Sequence, residues 1–311
     1  MDGSEENKLT PSNSQLHLSK WKKLVKNTSI DKLRVTGDFP IGQVGELVSC
    51  KDKNLYFNLS DDWDTFRGYY QATNGEKVHF EYNRPRAIAT KSSNTWIEFN
   101  PNKFPLNELE TLRLVLFQFM NDCKMTRADI AFDILVNLSN YKVYKRTPLV
   151  QRVFYGRKSE IETIYLGSPV SDNHIKIYNK KLELLKNENI EIEDDDLWRL
   201  EITLKSKKIY DLKTALKNFE LYLPYFQTIE KPRDRAMLFY LNEYENEWQN
   251  LSDKARAKYR RMIRETQSFY LTNYLRDVLN HESERLVSEM NSFLEMFNNA
   301  KKISLKPTKL K

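Results

Sequence analysis

The chain is expected to be an α+β protein. It should have a central, largely antiparallel sheet with one polar face suited to an active site, flanking helices, and a helical C-terminal region. Two patterns predict this. From Ser29 to about Lys205, short segments alternate apolar and polar residues, the period of a strand buried on one side. Beyond about Ile209 the apolar residues recur at helical spacing. Of 311 residues, 40% are hydrophobic and 12% aromatic, enough to fill a core. Only eight are Gly, so turns fall largely to Asn, Asp, Ser and Pro.

Residues 1–20 are polar and expected to be disordered. Their opening stretch MDGSEENKLTPSNSQ has no apolar core, unlike a signal peptide. Residues 21–208 form the expected strand-rich domain. Its strands are read from KVHFEYN, TWIEFN, ADIAFDILV, ETIYLG, HIKIY and LWRLEITL. A helix is expected over LNELETLRLVLFQFMNDC, with Asn107 as its start signal. The acidic run from Glu191 to Asp196 reads as a solvated loop. Residues 209–311 form the expected helical region. There an apolar stripe runs through Leu271, Leu275, Val278, Leu286, Met290, Phe293 and Phe297. Such a stripe needs cover, either from a second subunit or from its own domain. No internal repeat is evident.

The net charge is +7 and the pI near 9.0, which suits a polyanionic partner. Six basic residues and one acid fall between Lys254 and Glu265, and the tail KKISLKPTKLK adds five lysines. No apolar run approaches the ~20 residues that cross a membrane. Two cysteines, Cys50 and Cys123, make no disulfide framework and read as reduced thiols of a cytoplasmic protein. His17, His79, His174 and His281 form no metal-binding motif, and no glycine-rich phosphate loop is present. Zinc chemistry and ATP hydrolysis are therefore not expected.

Side chains of a strand point alternately to opposite faces. In TRADIAFDI, Arg127, Asp129 and Asp133 oppose Ala128, Ile130, Phe132 and Ile134. In HIKIYNK, Lys176 and Tyr178 oppose Ile175 and Ile177; His174 lies on the Tyr178 face. In LWRLEITL, Arg199, Glu201 and Thr203 oppose Trp198, Leu200, Ile202 and Leu204. In TWIEFN, Trp96, Glu98 and Asn100 oppose Ile97 and Phe99. For any one strand this is the ordinary wet face of an antiparallel sheet. The recurring mixture says more. Carboxylates suit a hard cation, Arg and Lys suit phosphate, and a tyrosine can form covalent intermediates.

In these same segments the chain resembles the Rep_trans family, plasmid rolling-circle initiators of the RepC and RepD type. The stretches that carry the resemblance are WIEFNPNKF, TRADIAFDI, FYGRKSEIETIYLGSPVSDNHIKIYNKKLE and LWRLEITLK, in the family's order, within about Lys77 to Glu265. The first 70 residues resemble it poorly, and Lys176 stands where relatives often carry Arg. The resemblance implies nicking of a plasmid double-strand origin by the tyrosine of the IYNK motif, here Tyr178. It also implies a homodimer, a divalent metal such as Mg²⁺ or Mn²⁺, and recruitment of a host helicase. Asp129 and Glu201 are the expected metal ligands, with Glu98 third. Arg127, Lys176 and Arg199 are expected to hold nearby phosphates. Tyr165 is the alternative nucleophile, and no general base is identified.

The basic segment corresponds to the family's specificity region, and at ~100° per residue its charges wrap much of a helix. Lys254, Arg256, Lys258, Tyr259, Arg260, Arg261 and Arg264 are the expected origin-binding residues. Within that set Arg256, Arg260 or Arg261 would read bases, and Lys254 and Lys258 would mostly add affinity. Three other readings stay open: a conjugative relaxase with the same chemistry, a non-catalytic origin-binding protein, and an RNA-binding protein.

Overall fold

The computed structural model describes residues 24–40, 53–115, 120–139, 141–145, 150–171, 173–223, 226, 229–266 and 269–299. The expectations for residues 1–20, His17, Cys50 and the basic tail fall outside them.

The strands are β1 (Val25–Asp38), β2 (Leu55–Leu59), β3 (Thr65–Gln71), β4 (Lys77–Asn83), β5 (Thr95–Phe99), β6 (Asn121–Ile134) and β7 (Lys142–Lys145). They continue with β8 (Gln151–Tyr155), β9 (Ile161–Leu166), β10 (Asn173–Asn179), β11 (Trp198–Lys205), β12 (Phe219–Leu223) and β13 (Phe269–Tyr270). The helices are α1 (Arg84–Thr90), α2 (Leu109–Val115), α3 (Lys180–Glu188), α4 (Pro232–Glu243), α5 (Asp253–Glu265) and α6 (Leu271–Asn299).

Ten strands form one antiparallel sheet in the order β2-β3-β4-β5-β1-β6-β11-β10-β9-β8. The long strands β1 and β6 lie at its middle and pair along most of their length. Alternation sets the faces as expected. Ile30, Leu33, Val35, Ile97, Phe99, Ile130, Phe132, Ile177, Leu200 and Ile202 all turn into one core. A second sheet holds β13, β12 and β7, so among the described residues the C-terminal region is helical apart from two short strands.

The structure corrects two expectations. The helix expected over 106–123 is shorter: a 3-10 turn, Leu106–Glu108, leads into α2, and Asn121 to Cys123 belong to β6. The pairing of Asp38 with Asn121 draws that end of the segment into the sheet. The apolar stripe of α6 needs no second subunit, because it covers the chain's own sheet. Leu271, Leu275, Leu286, Met290 and Phe297 are fully buried, and Phe293 and Phe297 set their rings edge-on to Phe99. The stripe therefore gives no argument for a dimer. Cys123 is buried in this core.

Helices α4 and α5 pack on a smaller core of Phe226, Ile229, Leu238, Leu241 and Tyr259. Among the described residues no helix is long and apolar enough to cross a membrane.

Candidate active site and DNA-binding helix

Strand registry assembles the site on the polar face of the large sheet. Tyr178 lies opposite Arg199, which lies opposite Asp133. One step along, Lys176 faces Glu201, which faces Ala131. A further step brings His174, Thr203, Asp129 and Lys32 into a row across four strands. The next row pairs Arg127 with Arg34 and Arg34 with Glu98. Glu98, Arg127, Asp129, Lys176, Tyr178, Arg199 and Glu201, expected from separate segments, thus line one cleft.

Tyr178 is the last but one residue of β10, just before helix α3. Asn179 caps that helix, its side chain accepting from the Leu182 amide at 2.9 Å. The strand fixes the side of the ring and the cap fixes where the strand stops. The hydroxyl donates to Glu201 Oε1 at 2.6 Å, and Lys176 Nζ sits 3.7 Å from the ring centre. Tyr178 is only 5% exposed. Burial and the adjacent Glu201 charge push its phenol far above the usual tyrosine value. Burial also raises the Glu201 carboxyl, with Lys176 working in the opposite direction. The proton between these two oxygens is therefore held tightly.

The arginines are less free than expected. Arg199 donates to both oxygens of Asp133, at 2.6 and 3.0 Å, and to Asp31 at 2.8 Å. Arg127 grips both oxygens of Asp129, at 2.9 and 2.6 Å. Both guanidiniums spend their planar fork on carboxylates rather than offering it to a phosphate. Lys176 is different: its nearest acid oxygen, on Glu201, is 4.0 Å away. It is the cation of the expected set best placed to meet a phosphate.

Glu98 does not suit the metal-ligand role. Arg34 approaches it at 2.6 Å, Lys32 at 3.4 Å and Arg127 at 3.5 Å. Burial would raise its carboxyl, but these three cations outweigh burial and lower it. Among the described residues no three His, Cys, Asp or Glu side chains converge on a point. Of the expected ligands, Asp129 gives both its oxygens to Arg127, which a cation would have to share, and Glu201 keeps Oε2 clear of the Tyr178 hydroxyl. Mg²⁺ asks for no more than one or two carboxylates when water and substrate phosphate complete its shell. His174 lines the same cleft, and its buried Nε2 has no hydrogen-bond partner. This donor set fits a lightly held hard cation, not a preformed cage.

Strand β1 supplies two cleft residues that the sequence reading missed, Asp31 and Lys32, and a third, Arg34, that pairs with Glu98 of the cleft. Its register shifts between Ile30 and Lys32 and again between Arg34 and Val35. Two such irregularities break the alternation that would have marked it.

Helix α5 begins with Ser252, whose hydroxyl accepts from the Ala255 amide. Lys254, Arg260, Arg261 and Arg264 are exposed. Tyr259 turns the other way: it is 8% exposed and its hydroxyl donates to Asp234 at 3.2 Å, so it belongs to the small core and not to a DNA-facing surface. Arg256 donates to the Leu251 carbonyl at 2.9 and 3.1 Å, closing the turn before the helix. Lys258 pairs with Asp234 at 2.6 Å. The outward basic face is therefore narrower than the sequence suggested.

Residues 140–306 match the family model described as replication initiation factor, Rep_trans. That span includes Tyr178, Glu201 and α5. A replication initiation protein of Staphylococcus aureus is 34% identical over 236 residues, covering 76% of this chain and 75% of its own. Another from the same organism is 32% identical over 260 residues, covering 82% and 84%. Among solved structures, a rolling circle replication initiator protein from Geobacillus stearothermophilus aligns over 67% of this chain and 91% of its own, at 14% identity and a TM-score of 0.34. With a family model across more than half of its length and relatives a third identical over three quarters of it, the chain belongs to the Rep_trans replication initiation factor family.

Proposed function

We propose that this initiator starts rolling-circle replication of a plasmid by nicking one strand of the origin with Tyr178. The observation that carries the reading is the Tyr178 hydroxyl hydrogen-bonded to Glu201 in a cleft lined with cations. Glu201 takes the phenolic proton as Tyr178 Oη attacks the scissile phosphorus. The bond from phosphorus to the 3′ oxygen breaks, and that oxygen leaves as a 3′ hydroxyl after protonation. The 5′ phosphate stays on Tyr178. One phosphoester replaces another, so the cut needs no ATP. The raised Glu201 carboxyl makes it a better proton acceptor than an ordinary carboxylate.

Lys176 holds the phosphate beside the ring. Arg127 and Arg199 act one step back, fixing Asp129 and Asp133 in place. A divalent cation held by Asp129 and Glu201 would supply charge neutralisation at the phosphate. Residues 21–208 carry the nicking chemistry, while Lys254, Arg260, Arg261 and Arg264 on α5 grip origin DNA. A homodimer would match an inverted-repeat origin, and a host helicase would unwind ahead of the freed 3′ end, all in the cytoplasm.

The test is incubation with a supercoiled origin plasmid and Mg²⁺, then proteolysis and mass spectrometry of the DNA-linked peptide. A nucleotide adduct on the peptide containing Tyr178 is expected. Nicking without an adduct, or an adduct on Tyr165, would overturn the assignment.

A further inference from the structure

We propose that the polar face of β2 to β5 is a stacking platform for an unpaired DNA strand continuous with the Tyr178 cleft. The inference rests on the nicking reading above but is tested by binding, without cutting. Registry aligns Tyr56, Tyr69, His79 and Glu98 in one row across β2, β3, β4 and β5. The neighbouring row holds Asn58, Arg67, Glu81 and Trp96. Three aromatic rings thus share the face that carries Tyr178. Tyr56 and Tyr69 stack at 5.0 Å with their planes 25° apart. Lys77 lies 4.2 Å over Tyr69, and Arg34 lies 4.6 Å over Trp96.

The charges favour a polyanion. Arg67 and Lys77 are exposed. The two acids of these rows are already engaged, Glu81 by Arg86 at 2.9 Å and Glu98 by Arg34. His79 lines both this groove and the Tyr178 cleft, so the two are one surface. From β10 to β3 there are six strand steps, about 29 Å at ~4.8 Å each. A Cβ at Gly68 would meet the Tyr56 carbonyl at 1.9 Å, so only glycine lets β2 lie this close to β3.

Rings in such a groove have a use for unpaired bases, whose π faces a duplex keeps covered. Aromatic side chains interleaved with cations are how proteins hold single strands without reading sequence. Cross-strand ring pairs also stabilise sheets. That role would move melting temperature, not DNA affinity.

The experiment measures the affinity of labelled oligo(dT), oligo(rU) and a blunt duplex by fluorescence anisotropy. It compares the full chain with the variant carrying Tyr56→Ala and Tyr69→Ala. Oligo(dT) binding should weaken roughly 10-fold or more while duplex binding holds, and Tyr69→Phe should bind like the parent. If the double variant misfolds, Tyr56→Ala with Arg67→Ala, both at exposed positions, takes its place. Unchanged oligo(dT) affinity in a folded variant would overturn the proposal. So would tighter binding of oligo(rU) than oligo(dT), which would make the platform an RNA site. Repeating the measurement in Tyr178→Phe keeps the outcomes separate: loss of nicking there bears on the nucleophile, and loss of oligo(dT) binding in the ring variants bears on the platform.

Discussion

Replacing Glu201 by Gln tests the proton path directly. Gln keeps the size of the side chain and an oxygen that can accept from Tyr178, but it cannot take the proton. The contact in question is 2.6 Å, the length of a hydroxyl bonded to a charged oxygen. A positioned base contributes roughly 10²–10⁴ in rate, or about 2.7–5.4 kcal/mol of barrier. Single-turnover nicking of a single-stranded origin oligonucleotide should slow by that factor, with DNA affinity nearly intact. The parent rate should fall as pH drops through the raised Glu201 value, because the protonated carboxyl cannot accept. The Gln variant should lack that acid limb. A rate within about threefold of the parent would refute the base assignment. Full rescue by added Mg²⁺ would show that Glu201 serves only as a metal ligand.

Tyr178→Phe should abolish nicking and leave origin binding intact in a gel-shift assay. Asp129→Ala should raise the Mg²⁺ or Mn²⁺ concentration needed for cleavage, and EDTA should stop the parent. The lowered Glu98 carboxyl contributes stability that is present above its unfolded value and lost as pH falls through its folded value; Glu98→Gln should flatten the acid side of a melting-temperature profile. Arg199→Ala strands Asp133 and Asp31 in a largely buried site and should cost about 3–5 kcal/mol in denaturant unfolding. Arg260→Ala and Arg261→Ala should relax base preference by ~1–3 kcal/mol in competition binding if either reads guanine.

Much of the site could be read from the sequence because its strands keep strict alternation. Lys176 and Tyr178, Arg199 and Glu201, and Asp129 and Asp133 each fell on one face by counting in twos. What could not be read is lateral. Nothing in TRADIAFDI says that Arg127 folds back onto Asp129, nor in LWRLEITL that Arg199 meets Asp133 on the next strand. The Arg199 pairing depends on register, whereas Arg127 meets Asp129 two positions along its own strand; both guanidiniums expected to bind phosphate are found on carboxylates. The platform was hidden for the same reason, since Tyr56, Tyr69 and Trp96 come from three strands and form no linear motif. Tyr259 was misplaced because charges on both sides of it suggested an outward face, whereas Asp234 from α4 draws it inward. Strands β12 and β13 are too short to announce themselves without β7 beside them.

The seating of α6 has a consequence for synthesis. Strand β1 occupies the middle of the large sheet, and Arg285 of α6 donates to the Thr28 carbonyl at 2.8 Å across 257 positions of sequence. Asn298 reaches the Cys123 carbonyl at 3.4 Å. A ribosome-bound chain that has delivered every strand of the large sheet still lacks the helix that seals its apolar side. Closing contacts of such long range is slow. The nascent protein therefore completes this fold only after translation has run through α6, and a product truncated before that helix should be aggregation-prone.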